Sequence, residues 1–453
     1  MSKPNFMNLE NQKNVFESKD VVGNLVMIGE ERYYKISNVD EMRPFFMSIL
    51  SNSNHWFFLS SNGGLTAGRK NSNYSLFPYY TEDKITEAAP NTGSKTIIRV
   101  YFGGKIFIWE PFSTRNFGKY KITRNLYKND YGNKVIFEEM NHELGLNFKY
   151  QWGTSDNFGF IKTSFLENQT STPIKVAVVD GIRNILPYGV PQDLQNSTSN
   201  LVDAYKKSEL ESDARLGIYS LSAIIVDRAE PSEALKANIT WSLGLENVTC
   251  LLSTSQLDLF RKFLPLTQED DIRAEKGAYF LSSEFTLNAE EEKSWMTISD
   301  VNKTVGDIIA LKETIIKTSD LRSLIVEDIQ KGTNKLIELA AASDGIQLTE
   351  DALRNNRHFA NTMFNIMRGG IFDNNYTIEK KDFNKYLHKA NIQLYKEQET
   401  VLNKLPETFN LDYLKELVDK DNNPNFKRLA TEYLPLKFSR RHGDPSRPWN
   451  KFS

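Results

Sequence analysis

The sequence contains very little cysteine and histidine, which excludes several kinds of site. Cys250 is the single cysteine among 453 residues, and there are five histidines. One cysteine excludes an intramolecular disulfide framework and every multi-cysteine metal site. His142 and His442 have no partners at ligand spacing, so the sequence predicts no metal site. Cys250 lies in the apolar run 248–252, where core packing is the usual role and a reactive thiol is the alternative.

Long apolar runs and a dominant charge are also missing. No stretch of 18 consecutive apolar residues occurs, and Met1 to Asp20 contain no hydrophobic segment of a signal peptide. We therefore expect a cytoplasmic protein without a membrane partner. Lysine plus arginine (56) nearly balance aspartate plus glutamate (58), with a net charge of -2. No nucleic-acid partner is expected, because such a balance supplies no field to hold a polyanion.

The composition that is present predicts a folded protein of two or three domains. Apolar residues make up 40% and aromatic residues 12%, enough to offset the ordering entropy of a large fold. From Val21 to about Leu287, short runs rich in Val, Ile, Phe, Tyr and Trp alternate with Gly, Asn, Asp, Ser and Pro clusters. So many strands predict two large packed antiparallel sheets, since a single open sheet of that size normally splits or curls.

Turn residues support the β interpretation. Gly103-Gly104 has the form of a two-residue hairpin loop, and Tyr131-Gly132-Asn133 offers residues that tolerate positive φ between two further strands. Two polar stretches interrupt the pattern, a helix-like one at Asp193 to Ser212 and another at Ser255 to Gly277. We interpret both as excursions from the sandwich.

After Ser299 the spacing becomes helical. Asp300 is the predicted N-cap of the first helix, and four more helices are predicted at 321–342, 349–368, 380–404 and 410–419. The segment from Phe438 to Ser453 is a loop rich in Pro, Arg and Trp, which indicates either a natural tail or a shortened polypeptide.

A glycine-rich segment near the N-terminus is the first candidate site. An apolar strand runs into Asn62-Gly63-Gly64, and Arg69 and Tyr79 follow. The commoner explanation is a glycine turn between strands; the functional one makes Arg69 and Tyr79 donors to sugar hydroxyls or contacts to a neighbouring domain. Neither G-x-G-x-x-G nor a P-loop is present, so no nucleotide cofactor is predicted.

Two further segments favour structural roles. Strands at 159–167 and 174–180 flank the polar turn Asn168 to Pro173, which predicts a hairpin with Phe165, Val176 and Val178, or their neighbours, facing inward. Asp180-Gly181 is predicted to begin a loop, with Asp180 as a turn residue in a structural salt bridge. On the helix 349–368, His358 and Asn361 share one polar face with Asn365 and Arg368, as a solvated face does.

The most unusual stretch lies near the C-terminus. Within ten residues it crowds together three arginines, a histidine, an aspartate and a tryptophan between prolines: Arg440, Arg441, His442, Asp444, Arg447 and Trp449. Guanidinium groups match oxyanions, carboxylates bind vicinal hydroxyls, and indole stacks on sugar rings, so the pattern is typical of a sugar or phosphate site. An exposed basic tail is the alternative.

Residues Ser51 to Tyr80 and Phe160 to Pro187 resemble the N-terminal β-domain of glycoside hydrolase family 94, the cellobiose phosphorylase-like enzymes. Those proteins open with a strand, an aromatic-rich Ser-Asn segment and a glycine pair, as Phe45 to Gly64 do here. They later carry a turn like Leu166-Glu167-Asn168. The stretch from Arg440 to Asn450 is similar to the beginning of the catalytic part in large family-94-like proteins.

The resemblance implies a protein that is mostly β and then α. It has an antiparallel, galactose mutarotase-like β-supersandwich (1–300), a helical linker (301–427) and the start of an (α/α)6 barrel (428–453). In the phosphorylases an aspartate of the barrel protonates the glycosidic oxygen while inorganic phosphate attacks the anomeric carbon from the opposite face and inverts it. A hydrolase instead uses a second carboxylate to activate water. About 150 helical residues cannot form a twelve-helix barrel, so this chain is expected to lack the general acid.

The leading hypothesis is therefore the N-terminal part of an inverting glycoside phosphorylase or hydrolase acting on gluco-oligosaccharides. We expect Arg69 and the residues between Arg440 and Trp449 to contact the substrate. No cofactor is expected, and inorganic phosphate would be a co-substrate if the enzyme is a phosphorylase. The competing hypothesis is a non-catalytic carbohydrate-binding or dimerisation module in which aromatic residues such as Tyr101, Trp109 and Trp152 line a groove, although most of them are expected to pack in the core. The sequence leaves a homodimer open.

Overall fold

The computed structural model describes residues 19–102, 104–116, 118–197, 199–223, 235–342, 345–367 and 377–440. Alternating apolar and polar residues form strands over the first two thirds of the chain. In chain order the described strands are β1 (Val22–Ile28), β2 (Glu31–Ser37), β3 (Phe46–Ser48), β4 (His55–Ser60), β5 (Leu65–Arg69), β6 (Gly93–Phe102), β7 (Lys105–Trp109), β8 (Ile122–Asn129), β9 (Val135–Asn141), β10 (Leu146–Ser155), β11 (Gly159–Asn168), β12 (Ile174–Ile185), β13 (Lys206–Glu211), β14 (Leu216–Leu221), β15 (Lys236–Leu243), β16 (Thr249–Leu251), β17 (Asp271–Arg273), β18 (Gly277–Leu287), β19 (Glu292–Thr304), β20 (Ile378–Glu379) and β21 (Thr408–Phe409).

The described strands form two large sheets and two small ones, the smaller of which is the β20–β21 pair. The described part of the large sheet has eleven strands in the order β1-β2-β8-β9-β10-β11-β19-β15-β14-β13-β17, and the second has five in the order β16-β18-β12-β6-β7. Strands β3, β4 and β5 make a separate three-stranded sheet. Every strand pair within the described ranges is antiparallel. The prediction of two large antiparallel sheets is confirmed.

One apolar core joins the two large sheets. Val176 and Val178 of β12 are fully buried against Trp152 of β10 and Trp295 of β19. Trp109 is fully buried in the same core. The hypothesis that Trp109 and Trp152 line a sugar groove is therefore wrong, because their rings fill the space between the sheets. Tyr101 is only partly buried, and its hydroxyl donates to Glu284.

The hairpin predicted at Asn168 to Pro173 is a crossover between sheets. Strand β11 belongs to the large sheet and β12 to the five-stranded sheet. The Asn168 amide donates to the carbonyl oxygens of Thr172 and Asn288, which fixes the chain where it changes sheet. Val176 and Val178 face inward as predicted, whereas on β11 Phe165 is only partly buried and its neighbour Leu166 is fully buried.

The predicted loop at Asp180-Gly181 is also wrong. Strand β12 continues to Ile185, so both residues lie in mid-strand. A Cβ on Gly181 would lie 1.9 Å from the carbonyl oxygen of Tyr279, so glycine is required by close backbone approach rather than by a turn. The salt bridge predicted for Asp180 is present, with Lys162 as its partner.

Helices cover both the sandwich and the C-terminal third. The described helices are α1 (Glu82–Ala88), α2 (Gln192–Ser197), α3 (Ser199–Tyr205), α4 (Leu257–Arg261), α5 (Val305–Lys317), α6 (Leu321–Ala342), α7 (Ala352–Met367), α8 (Lys380–Ala390), α9 (Ile392–Glu397), α10 (Glu399–Asn403), α11 (Leu411–Asp419) and α12 (Pro424–Arg440). Leu321 and Ile325 of α6 pack on Trp241 and Ile298, on the outer face of the large sheet. Helices α7, α8, α11 and α12 share a second core with the end of α6. In the described part of the chain, no helix has the length and apolarity needed to cross a bilayer.

The first long helix begins four residues later than predicted. Strand β19 runs through Asp300 to Thr304, and Thr304 is the N-cap of α5. Its hydroxyl accepts from the Asp307 amide while the Asp307 carboxylate accepts from the Thr304 amide, which forms a capping box. Asp300 was a plausible cap by residue type, but its carboxylate instead binds Arg69.

The predicted boundary at residue 300 falls within β19. The predicted linker, 301–427, contains the α5–α6 pair on the sandwich and most of the second core. The predicted barrel segment, 428–453, is described only as far as residue 440, and its assignment stays a prediction.

Candidate functional site

A pocket of about 660 Å³ lies where the large sheet, the three-stranded sheet and helix α7 meet. Strands β2 and β8 supply Tyr34 and Lys128, which are directly opposite each other in the ladder. Because Lys128 also pairs with the buried Val135, both side chains lie on the inner face of the large sheet. The five-stranded sheet does not cover this edge, and strand β3 and helix α7 form the opposite walls.

The turn between β8 and β9 forms the base of the pocket. Gly132 has a φ of 67°, as predicted for the Tyr131-Gly132-Asn133 turn. Asn129 donates through its side-chain amide to Asn133, and Asn133 donates to Thr333 on α6. The turn is thereby held to both its own hairpin and the helical region.

Aromatic rings line two sides of the pocket. Phe46 and Phe58 stack with their ring centroids 5.5 Å apart, and Tyr131 meets Phe359 of α7 edge to face at 5.6 Å. Phe46 is 40% exposed and Tyr34 is 37% exposed, so these rings are open to a ligand. Exposed aromatic faces beside a few polar groups are typical of small-molecule sites, sugars included.

Polar side chains connect the pocket walls. Asp130 accepts hydrogen bonds from the Arg32 Nε at 2.6 Å and from the Asn356 side-chain amide at 2.6 Å. Arg32 also donates to Asn356 Oδ1 at 3.3 Å, which closes a triangle between the sheet and α7. Burial, and then the nearby Asp130 charge, raise the pKa of Tyr131. Burial lowers the pKa of the Lys128 ammonium to about 8.

Arg69 lies elsewhere, at the junction of β5 and β19. Its Nε donates to Asp300 Oδ1 at 2.7 Å and its Nη2 to Asp300 Oδ2 at 3.2 Å. Further bonds run to Asn54 Oδ1 at 3.1 Å and to the Asp156 carbonyl at 2.9 Å. Four hydrogen bonds thus hold the guanidinium within the fold, and substrate contact by Arg69 stays a prediction. Tyr79, the other residue proposed there, is buried.

His55 lies beside this ion pair. Burial, followed by the charges of Arg69 and Lys303, lowers the pKa of His55 well below its usual value. The imidazole is therefore neutral at pH 7, and its Nδ1 lies 2.9 Å from the Ser51 hydroxyl. Within the described residues, no three His, Cys, Asp or Glu side chains come together as a metal site would require.

The C-terminal candidate residues fall at or beyond the end of the described ranges. Arg440 is the last residue of α12, and only its backbone is described. Arg441, His442, Asp444, Arg447 and Trp449 lie outside the described residues. Their predicted contact with substrate stays a prediction.

The sequence reasoning missed the pocket residues Tyr34, Phe46, Lys128 and Arg357 as a group. They come from four separate elements, and only tertiary packing brings them together. A signal did exist at Lys128, which occupies an inward position of an alternating strand. A lysine at such a position marks either a buried ion pair or a pocket.

Comparison with known proteins identifies one domain directly. Residues 372–435 match glycoside hydrolase family 149 insertion domain 1. This segment contains α8 to α11, most of α12 and the β20–β21 pair, and thus much of the second core. A search of curated proteins found no match.

Several solved structures align with this chain at low identity and with TM-scores below 0.5. A bacterial glucoamylase complexed with acarbose is 10% identical with a TM-score of 0.43, over 81% of this chain and 52% of that chain. A protein described as a kojibiose phosphorylase from the human microbiome is 9% identical with a TM-score of 0.28, over 73% of this chain and 38% of that one. A GalM/aldose epimerase homologue from C. elegans is 13% identical with a TM-score of 0.33, over 58% of this chain and all of that chain. The chain therefore spans about half the length of the glucoamylase.

The family-model match covers this one segment, residues 372–435, and it relates the segment to a glycoside hydrolase family. The relationship to glycoside hydrolases that the sequence resemblance implies is confirmed by this match.

Proposed function

We propose that this chain is the N-terminal part of an inverting glycoside phosphorylase or hydrolase that acts on gluco-oligosaccharides in the cytoplasm. The observation that carries the proposal is the family-149 insertion domain at 372–435, which follows an antiparallel two-sheet sandwich. In this proposal the sandwich is a scaffold, and α5 and α6 connect it to the catalytic helices.

In this proposal, a helical barrel would supply the catalytic acid and this chain would supply contacts to the substrate. A barrel aspartate would protonate the leaving oxygen while inorganic phosphate, or an activated water, attacks the anomeric carbon from the opposite face. Arg440, Arg441, His442, Asp444, Arg447 and Trp449 would supply contacts to phosphate or sugar at the mouth of that barrel. Guanidinium groups suit this role because their paired N–H donors match phosphate oxygens. No cofactor is required.

Arg447→Ala in the complete enzyme tests the assignment. We expect kcat/KM to fall by at least tenfold, since one charge-assisted contact contributes about 1.5–3 kcal/mol. Gluco-oligosaccharides are incubated with and without inorganic phosphate, and proton NMR identifies the released sugar or sugar phosphate and its anomer. Arg273→Ala, which removes a largely exposed arginine from the edge strand β17, is the control. Unchanged kinetics for Arg447→Ala would contradict the site assignment.

The second candidate function is a non-catalytic carbohydrate-binding or dimerisation module. The aromatic pocket between Phe46, Tyr34 and Tyr131 favours the binding form of this hypothesis. Calorimetry of the chain with gluco-oligosaccharides, followed by product analysis, separates the two functions. Binding without release of any sugar, by the complete protein, would support the module. Sedimentation velocity tests whether the chain is a homodimer.

A further inference from the structure

The pocket beside α7 contains more positive than negative charge. Lys128 and Arg357 line it, and no hydrogen bond or ion pair joins either side chain to another described residue. Asp130 is the pocket's carboxylate, and it is already bound by Arg32 and Asn356. Two cations therefore face the pocket without a counter-ion among the described residues.

Because of where Lys128 lies, its unpaired positive charge lowers the stability of the protein. Its stem crosses the inner face of the sheet beside Leu50 and Gly132, and a Cβ on Gly132 would lie 3.2 Å from Leu50 Cδ1 and 3.5 Å from Lys128 Cε. Burial lowers the ammonium's pKa to about 8, so at pH 7 the amine is still mostly charged. A desolvated charge without a partner destabilises a protein, whereas a bound anion would remove that cost.

The rest of the pocket fits the flat face of a small ring. Phe46, Phe58 and Tyr34 offer aromatic surface, and about 660 Å³ is within the range of ordinary small-molecule sites. Ser48, Asn129 and Asn356 line the same space and carry groups able to bind hydroxyls.

We propose that this pocket binds a monosaccharide phosphate, with the sugar ring against Phe46 and Tyr34 and the phosphate between Lys128 and Arg357. The choice of a sugar for the ring rests on the proposed carbohydrate function. The preference for an anion rests on the two cations alone. The residues that line this pocket are different from the residues between Arg440 and Trp449, for which the proposed function predicts substrate contacts.

Calorimetry on the full chain tests the proposal with four compounds: glucose 1-phosphate, glucose 6-phosphate, glucose and inorganic phosphate. At pH 7 and low salt we expect at least one sugar phosphate to bind ten times more tightly than glucose and than inorganic phosphate. Equal affinity for glucose would overturn the anion assignment, and equal affinity for inorganic phosphate would overturn the sugar assignment. Absence of binding by both sugar phosphates would overturn the whole proposal.

Matched variants locate the site. Lys128→Met and Arg357→Gln should each weaken binding of the sugar phosphate at least fivefold. Two control variants should leave the affinity for the sugar phosphate unchanged. Lys35→Met changes a residue on the opposite face of the neighbouring strand, and Arg354→Gln changes a residue of α7 outside the pocket lining. Since Lys128→Met removes an unpaired buried charge, its melting temperature without ligand should not fall, and only the ligand-induced increase should be lost. An unchanged affinity in Lys128→Met would contradict the assignment.

The pH dependence supplies an independent readout. Binding to wild type should weaken as pH rises from 7 to 9.5, because the amine loses its proton, whereas Lys128→Arg should bind equally at both values. If Lys35→Met, and not Lys128→Arg, lost the pH dependence of binding, the role of Lys128 would be contradicted. Activity of the complete enzyme is measured separately, so an active enzyme whose pocket binds no sugar phosphate would contradict this inference alone. An inactive protein that binds sugar phosphate would contradict only the catalytic proposal.

Discussion

At the scale of single residues, the sandwich relies on buried charges that are fully hydrogen-bonded. Asp180, between the two large sheets, accepts from Lys162 Nζ at 2.6 Å, Thr96 Oγ1 at 2.6 Å, Ser164 Oγ at 2.8 Å and Trp295 Nε1 at 2.7 Å. Four donors saturate the carboxylate, so this acid has a structural role. A salt bridge was predicted for Asp180, but neither its partner nor its burial could be, because three separate strands supply the donors.

Removing Asp180 alone should be strongly destabilising. Asp180→Ala leaves the Lys162 ammonium buried without a counter-ion, and we expect a loss of about 3–5 kcal/mol in the free energy of unfolding. The double variant Lys162→Met/Asp180→Leu should recover part of this loss, but not all of it, since Thr96 and Trp295 keep unpaired donors. Urea denaturation of the wild type, Lys162→Met, Asp180→Leu and the double variant measures the coupling, and Asp180→Ala is compared with the wild type separately. A cost below about 1 kcal/mol for Asp180→Ala would contradict the argument.

Glu110 should make the protein sensitive to acid. Burial alone would raise the pKa of this carboxyl, but hydrogen bonds from Arg261 and the charge of Lys95 outweigh it and lower the pKa to about 2. Because the ordinary pKa is 4.5, the stabilisation is fully present above that pH and is lost as pH falls towards 2. Glu110→Gln should therefore lower the melting temperature at pH 7 and have a much smaller effect near pH 2. Glu87→Gln, an exposed change on α1, is the control and should show no such trend.

At the scale of elements, local pattern predicted most strands and helices but not their partners. The helices at 321–342 and 410–419 were placed to within a residue, because periodicity and caps determine them. Short strands such as β5 and β16 were missed, since three to five residues carry too little alternation. The crossover at Asn168 looked like a hairpin because turn residues alone do not show which sheet the next strand joins. The pocket was missed for the same reason.

The corrected N-cap of α5 can be tested by substitution. Thr304→Ala removes the acceptor for the Asp307 amide and should cost about 1 kcal/mol of stability. Thr304→Ser keeps the hydroxyl and should be close to wild type. Denaturant titration compares the two, and equal stability of the alanine and serine variants would show that the cap contributes nothing.

At the scale of the whole molecule, the β region and the second core differ in their tryptophan content. Of the six tryptophans, Trp109, Trp152 and Trp295 are buried between the large sheets, Trp241 is buried between the large sheet and α6, and Trp56 is buried beside the three-stranded sheet, whereas Trp449 lies outside the described residues. The second core consists mainly of Leu, Phe and other apolar side chains, most of them from helices, and Phe383 packs there against Phe409 and Tyr433. The sequence predicted this change from β to α, but not that the α region is divided between the sandwich face and a separate core.

Weakening the second core should therefore separate two unfolding signals. In a Trp449→Phe background, every remaining tryptophan lies on a strand of the β region, so fluorescence reports on that region, whereas circular dichroism at 222 nm reports mainly on helices. Phe383→Ala should cost about 3–5 kcal/mol and lower the temperature of the helical transition more than that of the fluorescence transition. Ile97→Ala, in the outer layer of the five-stranded sheet, should act in the opposite direction. Coincident transitions in both variants would show one cooperative unit.

Cys250 is buried, and that burial raises the pKa of its thiol to about 11. Because the thiolate is the reactive form, the native protein should resist maleimides and other thiol reagents at neutral pH. A cysteine introduced at the rim of the pocket, for example at Leu353, would then be the only site to accept a dye or spin label. Distances and ligand-induced changes could be followed in solution without first removing the natural cysteine.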